Sequence, residues 1–423
     1  MSEVVSSAVR VLKDVRHTRS VRRRAENFAR GASGVAGAEA FAHLQTFSLA
    51  AASVAKGRST PRAVTLVLPE LRPRQIFAGV RTALEFGYKA AAELDLPLRL
   101  VVVWAAPEAA DLPEIRSYLR REFGDGPADA AEVISIDALV NLSVNDDDVW
   151  IGTHWSTAHP LDIACRLGVL RKEQIIYLVQ DYEPGFYAWS SEFALARATY
   201  NAGFRFVVNS TPLRNYLSEA EGLFVPDERV FAPSLDLARL EEAAHQRKRS
   251  PNSQIMFYGR PSKPRNLFDI GMSAIQIAAA EFDRRGISAS FISAGESHRS
   301  TALAGGQILD VRGKVPWNDY FALLASSDVL LSLQHSPHPS HPPLDAVAAG
   351  AFAVTNELGG TRAAIHPRLF VAEPDPSALA SRLIEAADAS RDSEPAVFDA
   401  EFVRRLGEPL NDVVTSTVSA MFS

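Results

Sequence analysis

The sequence predicts an α/β protein made of two doubly wound parallel-sheet domains in tandem. From residue 63 onward, short runs rich in Val, Ile and Leu alternate with amphipathic stretches. The apolar runs are nearly continuous and lack the in-and-out alternation of a half-exposed strand, so they read as strands covered by helices on both faces. The alternation stops once, over the charged segment 236–253, and then resumes. A chain of 423 residues is too long for one ordinary core and suits two.

The elements follow in order. AVTLVLP (63–69) predicts a strand, 76–95 a helix, LRLVVVW (98–104) a strand and 112–122 a helix. AEVISI (131–136) and DVWIGTHW (148–155) are strands, and a helix covers 158–171. QIIYLVQD (174–181) is a strand, 189–200 a helix and FRFVVN (204–209) a strand. Segment 236–253 ends in a Pro-Asn-Ser turn signal and marks the boundary. Strands then fall at 254–259, 287–293, 328–333 and 351–356, with helices at 266–284, 317–326, 343–349 and 376–389. The tail 396–423 reads as helical. The limits are 1–45 for a basic helical extension, 46–245 and 246–395 for the two α/β domains, and 396–423 for a helix returning to the first domain.

Composition narrows the function. Apolar residues at 47% and charged residues at 22% are ordinary for a soluble globular protein. A net charge of -6 argues against nucleic-acid binding. The single cysteine, Cys165, forms no internal disulfide and points to the reducing cytoplasm. No apolar run is long enough to span a bilayer, and the first thirty residues lack the apolar block of a secretory signal. Residues 10–30 hold eight Arg or Lys against Asp14 and Glu26, and Val4, Val5, Ala8, Val11, Leu12 and Val15 fall near one helical face. Two readings stand: an amphipathic helix peripheral to an anionic membrane, or a solvated helix or tail.

Tandem doubly wound domains bind ligands in the cleft between their strand ends. Neither domain has a G-x-G-x-x-G after its first strand, which argues against a nicotinamide enzyme. In the second domain, Gly259-Arg260-Pro261-Ser262-Lys263-Pro264-Arg265-Asn266 follows the first strand directly. Three cations at a strand end, before a helix N-terminus, make a cradle for a diphosphate. The alternative is a basic surface turn. Residues 336–345, Ser-Pro-His-Pro-Ser-His-Pro-Pro-Leu-Asp, link a strand to a helix that Pro343 can open. His335, His338 and His341 are three apart, but interleaved prolines forbid a helix that would align them for a metal. Ser336, His338 and nearby amides suit phosphate oxygens instead. Asp345, in the first helical turn, suits ribose hydroxyls.

In the first domain, Gln180-Asp181-Tyr182-Glu183-Pro184 leaves a strand for the aromatic loop Gly185-Phe186-Tyr187-Ala188-Trp189. Carboxylates bind hydroxyl pairs and rings stack on sugar C–H faces, while the bland reading of Asp181 is a turn cap. His154 and Trp155 end the preceding strand, and His154 reads as a base, a donor to sugar or a structural group. Asp146-Asp147-Asp148 precedes a strand and reads as a solvated turn. Around Gly79, a small-residue loop lets a sugar approach the backbone.

Together these segments resemble the GT-B glycosyltransferases of family 4, over roughly residues 60 to 410. The second domain carries the resemblance from FYGRP through VRGKVPWNDYFALLASSDVLLSL to the acid-bearing helix before AAGAFAVTN. YLVQDYEPGFYAWSSEFALA and SPHPSHPPLDAVAAG are similar to the dTDP-rhamnose-dependent rhamnosyltransferases of the WsaF type. The resemblance implies two Rossmann-like domains facing across a cleft, with donor-diphosphate binding by Arg260, Arg265 and Lys263. It implies ribose binding by Asp345 and a nucleobase facing the backbone from Gly313 to Val315. Asp181, Glu183 and His154, the catalytic candidates, would face the transferred sugar or the acceptor, beside Gly79, Trp155 and Tyr182, which the residues themselves suggest as sugar or acceptor contacts. It implies dTDP-L-rhamnose as donor, a glycan or lipid-linked glycan as acceptor, retention of configuration, and no metal or other cofactor. In retaining chemistry the leaving phosphate can take the acceptor proton; were the reaction inverting, Asp181 or Glu183 would be the base. One departure stands out. Most family 4 enzymes place two glutamates eight positions apart, whereas here the second is Asp345 and the first position holds Pro337. A sugar-nucleotide epimerase and a non-catalytic glycan-binding protein are the rival expectations.

Overall fold

The computed structural model describes residues 35–421, apart from 58–59, 74–75, 77, 106, 141, 248–251 and 394–396. The basic stretch over 10–30, and with it the membrane-surface reading, lies outside the described residues. Among the described residues, no helix is long and apolar enough to cross a membrane.

The first half runs α1 (Val35–Ala52), β1 (Ala55–Lys56), β2 (Val64–Glu70), α2 (Ala78–Glu93), β3 (Leu98–Ala105), α3 (Leu112–Phe123), α4 (Asp125–Ala130), β4 (Glu132–Ser135), α5 (Ile136–Leu139) and β5 (Ser143–Val144). It continues through β6 (Val149–Gly152), α6 (Trp155–Arg166), β7 (Ile175–Val179), α7 (Ser191–Ala198), β8 (Arg205–Asn209), α8 (Thr211–Glu221) and β9 (Val230–Phe231). Seven of these strands form one parallel sheet in the order β4-β3-β2-β6-β7-β8-β9. Alternate residues feed two cores. Leu66, Leu100, Ile151, Ile176 and Val207 meet Leu84 of α2 on one face. Val67, Val101, Trp150, Tyr177 and Val208 meet Phe47 of α1 and Leu161 of α6 on the other. Burial on both faces is what the unbroken apolar runs demand.

The second half runs α9 (Leu237–Gln246), β10 (Ser253–Gly259), α10 (Phe268–Arg284), β11 (Ala289–Gly295), β12 (Asp310–Gly313), α11 (Trp317–Ser326), β13 (Val329–Leu331), α12 (His341–Ala348), β14 (Phe352–Asn356), β15 (Leu369–Ala372) and α13 (Pro376–Asp392). Its six strands are parallel in the order β12-β11-β10-β13-β14-β15. The tail is a 3-10 turn over Glu401–Leu406 and then α14 (Leu410–Ser419). Val413, Val414 and Val418 of α14 are buried in the first half's core with α2.

Several expected boundaries move for local reasons. The strand expected over 148–155 stops at Gly152, because Thr157 Oγ1 accepts from the N–H groups of Thr153 (2.9 Å) and His154 (3.1 Å) and starts α6 at Trp155. Segment 236–253, read as the break between halves, is helical for most of its length. Asp236 caps α9 by accepting from Arg239 N–H, and Leu240 and Ala243 are buried in the second half's core beside Leu344. The crossing between halves therefore precedes Leu237. The acidic triplet is no simple solvated turn: Asp148 is fully buried, pairs with Arg99 at 2.8 Å and accepts from Ala63 N–H at 2.6 Å. Asp146 and Asp147 make surface pairs with Lys56 and Arg171. Helix α12 begins at His341, two residues early, which puts Asp345 in its second turn.

Candidate active site

Both sheets reverse their winding at one place. In the first, the chain goes from β2 out to β3 and β4, then returns to β6 on β2's other side. In the second, it goes from β10 out to β11 and β12, then returns to β13. Such switch points leave a crevice at the carboxyl ends of the strands. The residues after β2, β6 and β7 are Gly79, His154, Trp155, Asp181 and Glu183; those after β10 and β13 are Arg260 to Arg265 and Gln334 to Asp345.

The β10 turn is shaped by its neighbour. Gly259 and Gly295 are register partners at the ends of β10 and β11. Gly295 has φ 122°, and a Cβ there would lie 2.6 Å from the Gly259 carbonyl oxygen, so only glycine allows the strands to end this close. The next residue, Glu296, accepts from Ser262 N–H (2.9 Å), Ser262 Oγ (2.7 Å) and Arg260 Nε (3.4 Å). Burial raises the Glu296 carboxyl, but these Ser262 bonds and the Arg260 charge outweigh it and hold the group below its usual range. Arg260 is thereby aimed from the turn while remaining partly exposed, and Lys263 is exposed. Arg265, in the 3-10 turn Pro264–Asn266, places its guanidinium 4.2 Å from the centroid of Phe186 in the first half.

The loop after β13 is organised by a residue whose role the motifs did not disclose. Arg362 is fully buried, and its guanidinium donates to the carbonyls of Gln334 (2.8 Å), Ser336, His338 (3.2 Å) and Asn356. Asn356 clasps Gln334 from the other side, accepting from its N–H at 2.8 Å and donating to its carbonyl at 3.1 Å. Within this frame His338 Nδ1 accepts from Ser340 N–H at 3.1 Å, so Nε2 carries the proton. That Nε2 is buried and has no hydrogen-bond partner among the described residues. Burial, the neighbouring His341 and Arg362 push the ring's pKa down to about 3, which keeps His338 a neutral donor. Ser340 enters α12 with φ 67°, a strained entry at the cleft. Asp345 is buried, with Oδ2 accepting from the Tyr320 hydroxyl at 3.0 Å. Burial raises its carboxyl to about 7 against that hydrogen bond. Gly313 ends β12 with φ 65°, where a Cβ would lie 2.5 Å from Ser297 Oγ, and Val315 packs against the core beneath α11.

The first half brings some of its candidates to the cleft and turns others inward. Glu183 is buried, and its Oε2 accepts from Trp155 N–H (2.5 Å) and the Tyr177 hydroxyl (2.9 Å). Burial raises Glu183 to about 8, so at neutral pH it is protonated and serves as a staple under the site. The Trp155 ring is buried and donates from Nε1 to Tyr187 Oη at 2.9 Å. The Tyr182 hydroxyl donates to Glu221 at 2.6 Å. Burial turns the Trp155 ring away from its expected sugar contact, while the Tyr182 ring is half-buried with its hydroxyl engaged. His154 caps α6, with Nδ1 3.3 Å from Ser156 N–H and 2.8 Å from Ser156 Oγ. Burial beside Trp104 and Trp155 lowers its ring to about 3, so His154 is neutral, with Nε2 as its donor. The Gly79 carbonyl accepts from Gln180 Nε2 at 2.8 Å, tying the small-residue loop to the end of β7.

Asp181 crosses the cleft. Its Oδ1 accepts from Ser336 Oγ and its Oδ2 from Gln334 Nε2 at 3.4 Å. Burial raises its carboxyl while Arg265 and Ser336 pull it back. One acid of the first half thus touches the proposed diphosphate loop of the second. Among the described residues, no group of three or more His, Cys, Asp or Glu is arranged to hold a metal.

Family profiles described as WsaF, N-terminal domain, and WsaF, C-terminal domain, match residues 63–210 and 253–384. The chain belongs to the WsaF family. The two matches in this WsaF-family chain run from β2 to the end of β8 and from β10 into α13, so they include both switch points. The O-antigen biosynthesis protein RfbC of Myxococcus xanthus is 30% identical over 241 residues, 56% of this chain and 18% of that protein. The chain therefore spans less than a fifth of the length of this curated relative. Among solved structures, the α,α-trehalose-phosphate synthase (UDP-forming) of Burkholderia vietnamiensis aligns at TM-score 0.50 and 11% identity, covering 86% of this chain and 99% of its own. The α,α-trehalose 6-phosphate synthase of Burkholderia multivorans aligns at TM-score 0.50 and 10% identity, covering 86% and 98%. At these identities the likeness speaks for the fold alone, and the fold is GT-B.

Proposed function

We propose that this chain is a glycosyltransferase that moves L-rhamnose from dTDP-L-rhamnose onto a growing bacterial surface glycan, with retention of configuration. The observation that carries the transferase reading is the convergence at the cleft. Arg260 and Arg265 lie in the turn after β10, a loop with the neutral donor His338 and then α12 with the acid Asp345 follow β13, and Asp181 meets that loop from the opposite half. The cations stabilise charge that builds on the diphosphate as it leaves. His338 Nε2–H, without a partner among the described residues, is a donor for a phosphate or sugar oxygen. Asp181 orients the acceptor hydroxyl, and its proton passes to the departing phosphate on the same face. Glu183, Trp155 and Tyr182 support the floor without touching the reacting atoms. The rhamnosyl and dTDP assignments rest on likeness to WsaF-type enzymes. A lipid-linked glycan acceptor would bring the basic residues 10–30 to an anionic membrane surface.

A thermal-shift screen of nucleoside diphosphates and sugar nucleotides tests the donor, since a ligand of the native state raises its stability. dTDP and dTDP-rhamnose are expected to give the largest shifts. Arg260→Ala is expected to weaken dTDP binding by at least ~10-fold in calorimetry, as for a lost charge-assisted contact. Unchanged affinity would move the diphosphate elsewhere. An inverted product by NMR would overturn retention, and a new sugar nucleotide formed without acceptor would favour an epimerase.

A further inference from the structure

We infer that the exposed ring pair of Trp189 and Phe193 is a stacking platform for an inner sugar of the acceptor, and that the acceptor is therefore a preformed oligosaccharide and not a single sugar. The inference rests on the transferase reading above and names the class of acceptor that the cleft receives.

Trp189 is 91% exposed, an unfavourable place for a large apolar ring unless a ligand covers it. The ring is held in position. It stacks on Phe193 with centroids 5.1 Å apart and planes at 16°. Its loop is fixed on both sides. Before it, Tyr187 Oη accepts from Trp155 Nε1 at 2.9 Å, and Tyr187 N–H donates to the Pro184 carbonyl at 3.2 Å. After it, Ser190 Oγ caps α7 by accepting from Phe193 N–H at 3.3 Å. Phe193 supports one face of the indole and leaves the other open to solvent.

The platform continues the cleft. Its loop begins at Asp181, which meets Ser336 of the second half, and Phe186 lies against the Arg265 guanidinium at 4.2 Å. Trp189 follows Phe186 by three residues, a span of at most ~11 Å that a short glycan bridges. The charges of the segment favour a neutral sugar over a phosphate-rich surface. Residues 183–196 hold two acids, Glu183 and Glu192, and no Lys or Arg. Glu183 is buried, while Glu192 stands in the first turn of α7 next to Phe193. The first cation beyond them, Arg197, is paired with Glu221 at 2.7 Å. Binding to an anionic membrane calls for free cations beside an exposed tryptophan. A neutral glycan fits instead, with a C–H face stacked on the indole and hydroxyls donating to the Glu192 carboxylate. The sugar on Trp189 is not the one whose hydroxyl Asp181 orients, because Trp189 lies out on the open surface. One acceptor must therefore span both, and Trp189 is an acceptor-binding residue that touches no reacting atom.

The test uses the whole chain, dTDP-L-rhamnose and two acceptors that differ only in length: methyl α-L-rhamnoside and the methyl glycoside of an α-L-rhamnose trisaccharide. The wild type is expected to show a KM about tenfold lower for the trisaccharide, the effect of one added stacking contact. Trp189→Ala is expected to erase the difference between the two acceptors, with dTDP affinity in calorimetry matching the wild type. Trp189→Phe, which keeps a ring, is expected to retain part of it. A wild-type KM that does not depend on acceptor length overturns the inference and leaves the transferase reading standing. So does a length effect that survives Trp189→Ala. Sedimentation with phosphatidylglycerol vesicles that Trp189→Ala abolishes, while the trisaccharide kinetics stay as they were, assigns the rings to a membrane and overturns the inference as well. Transfer to neither acceptor overturns the reading of the cleft as a rhamnosyl-transfer site, and the inference with it.

Discussion

Asp181 and Glu183 stand two residues apart, and the fold gives them different tasks. Asp181 reaches Ser336 and Gln334 across the cleft, whereas Glu183 turns down to Trp155 N–H and the Tyr177 hydroxyl. Their chemistry is separable by isosteric substitution. Asp181→Asn is expected to lower kcat/KM for transfer by ~10-fold or more, the scale of a lost charge-assisted hydrogen bond that orients the acceptor hydroxyl. Glu183→Gln is expected to retain transfer to within a few-fold, because Gln can accept both hydrogen bonds with its carbonyl. The pH dependence follows from burial, which raises Glu183 from 4.5 to about 8. The folded state keeps a proton that the unfolded chain releases near 4.5. That contribution to stability is complete below 4.5 and is lost as the pH rises toward 8. Denaturant unfolding between pH 5 and 9 is expected to show a steeper loss with pH for the wild type than for Glu183→Gln. A matching slope would remove Glu183 as the titrating group.

The loop after β13 shows where sequence reading reached and where it stopped. Its strand, its helix and its candidate donors could be located because apolar runs and prolines are local signals. Tyr320, Glu296 and Arg362 carry no such signal: Tyr320 acts on Asp345, Glu296 on Ser262 and Arg362 on Gln334, all distant in the chain, through contacts that exist only once the sheet has formed. The nearest hint of Arg362 is its place just beyond the Gly359-Gly360 turn after β14. The expected role of Trp155 met burial for a related reason, since a polar aromatic near a strand end looks the same whether it faces the cleft or the core. Arg362 is also the most consequential residue of this element. Arg362→Leu would leave the carbonyls of Gln334, Ser336 and His338 without their donor in a buried setting. A loss of roughly 3 kcal/mol is expected in urea unfolding, from the cost of unpaired buried polar groups. Weaker dTDP binding should accompany it, because the loop that shapes the site would lose its frame.

The two halves are joined by strands of chain that touch. On the outward crossing, Val230 and Phe231 form β9, and Ala232 N–H donates to the Glu408 carbonyl at 3.0 Å. On the return, Glu408 N–H donates to the Val230 carbonyl at 2.9 Å. Just before that, Phe402 and Leu406 are buried in the second half's core, and just after it Val413, Val414 and Val418 are buried in the first half's. The tail therefore fastens the halves where they cross, and Gly407 is the point where it passes the outward crossing. Gly407 has φ 147°, and a Cβ there would lie 2.4 Å from the Phe231 carbonyl carbon and 2.6 Å from the Ala232 nitrogen. Backbone atoms at that distance cannot give way as a side-chain tip can. Gly407→Ala is expected to cost more than ~1 kcal/mol, which for domains of this size lowers the melting temperature by at least ~2–4 °C. The donor cradle is built by the β10, β11 and β13 ends and does not use this crossing. The additional stabilisation produced by saturating dTDP should therefore match the wild type when both are measured by scanning calorimetry. A lost dTDP shift would show that the crossing sets the geometry of the cleft as well as the stability of the molecule.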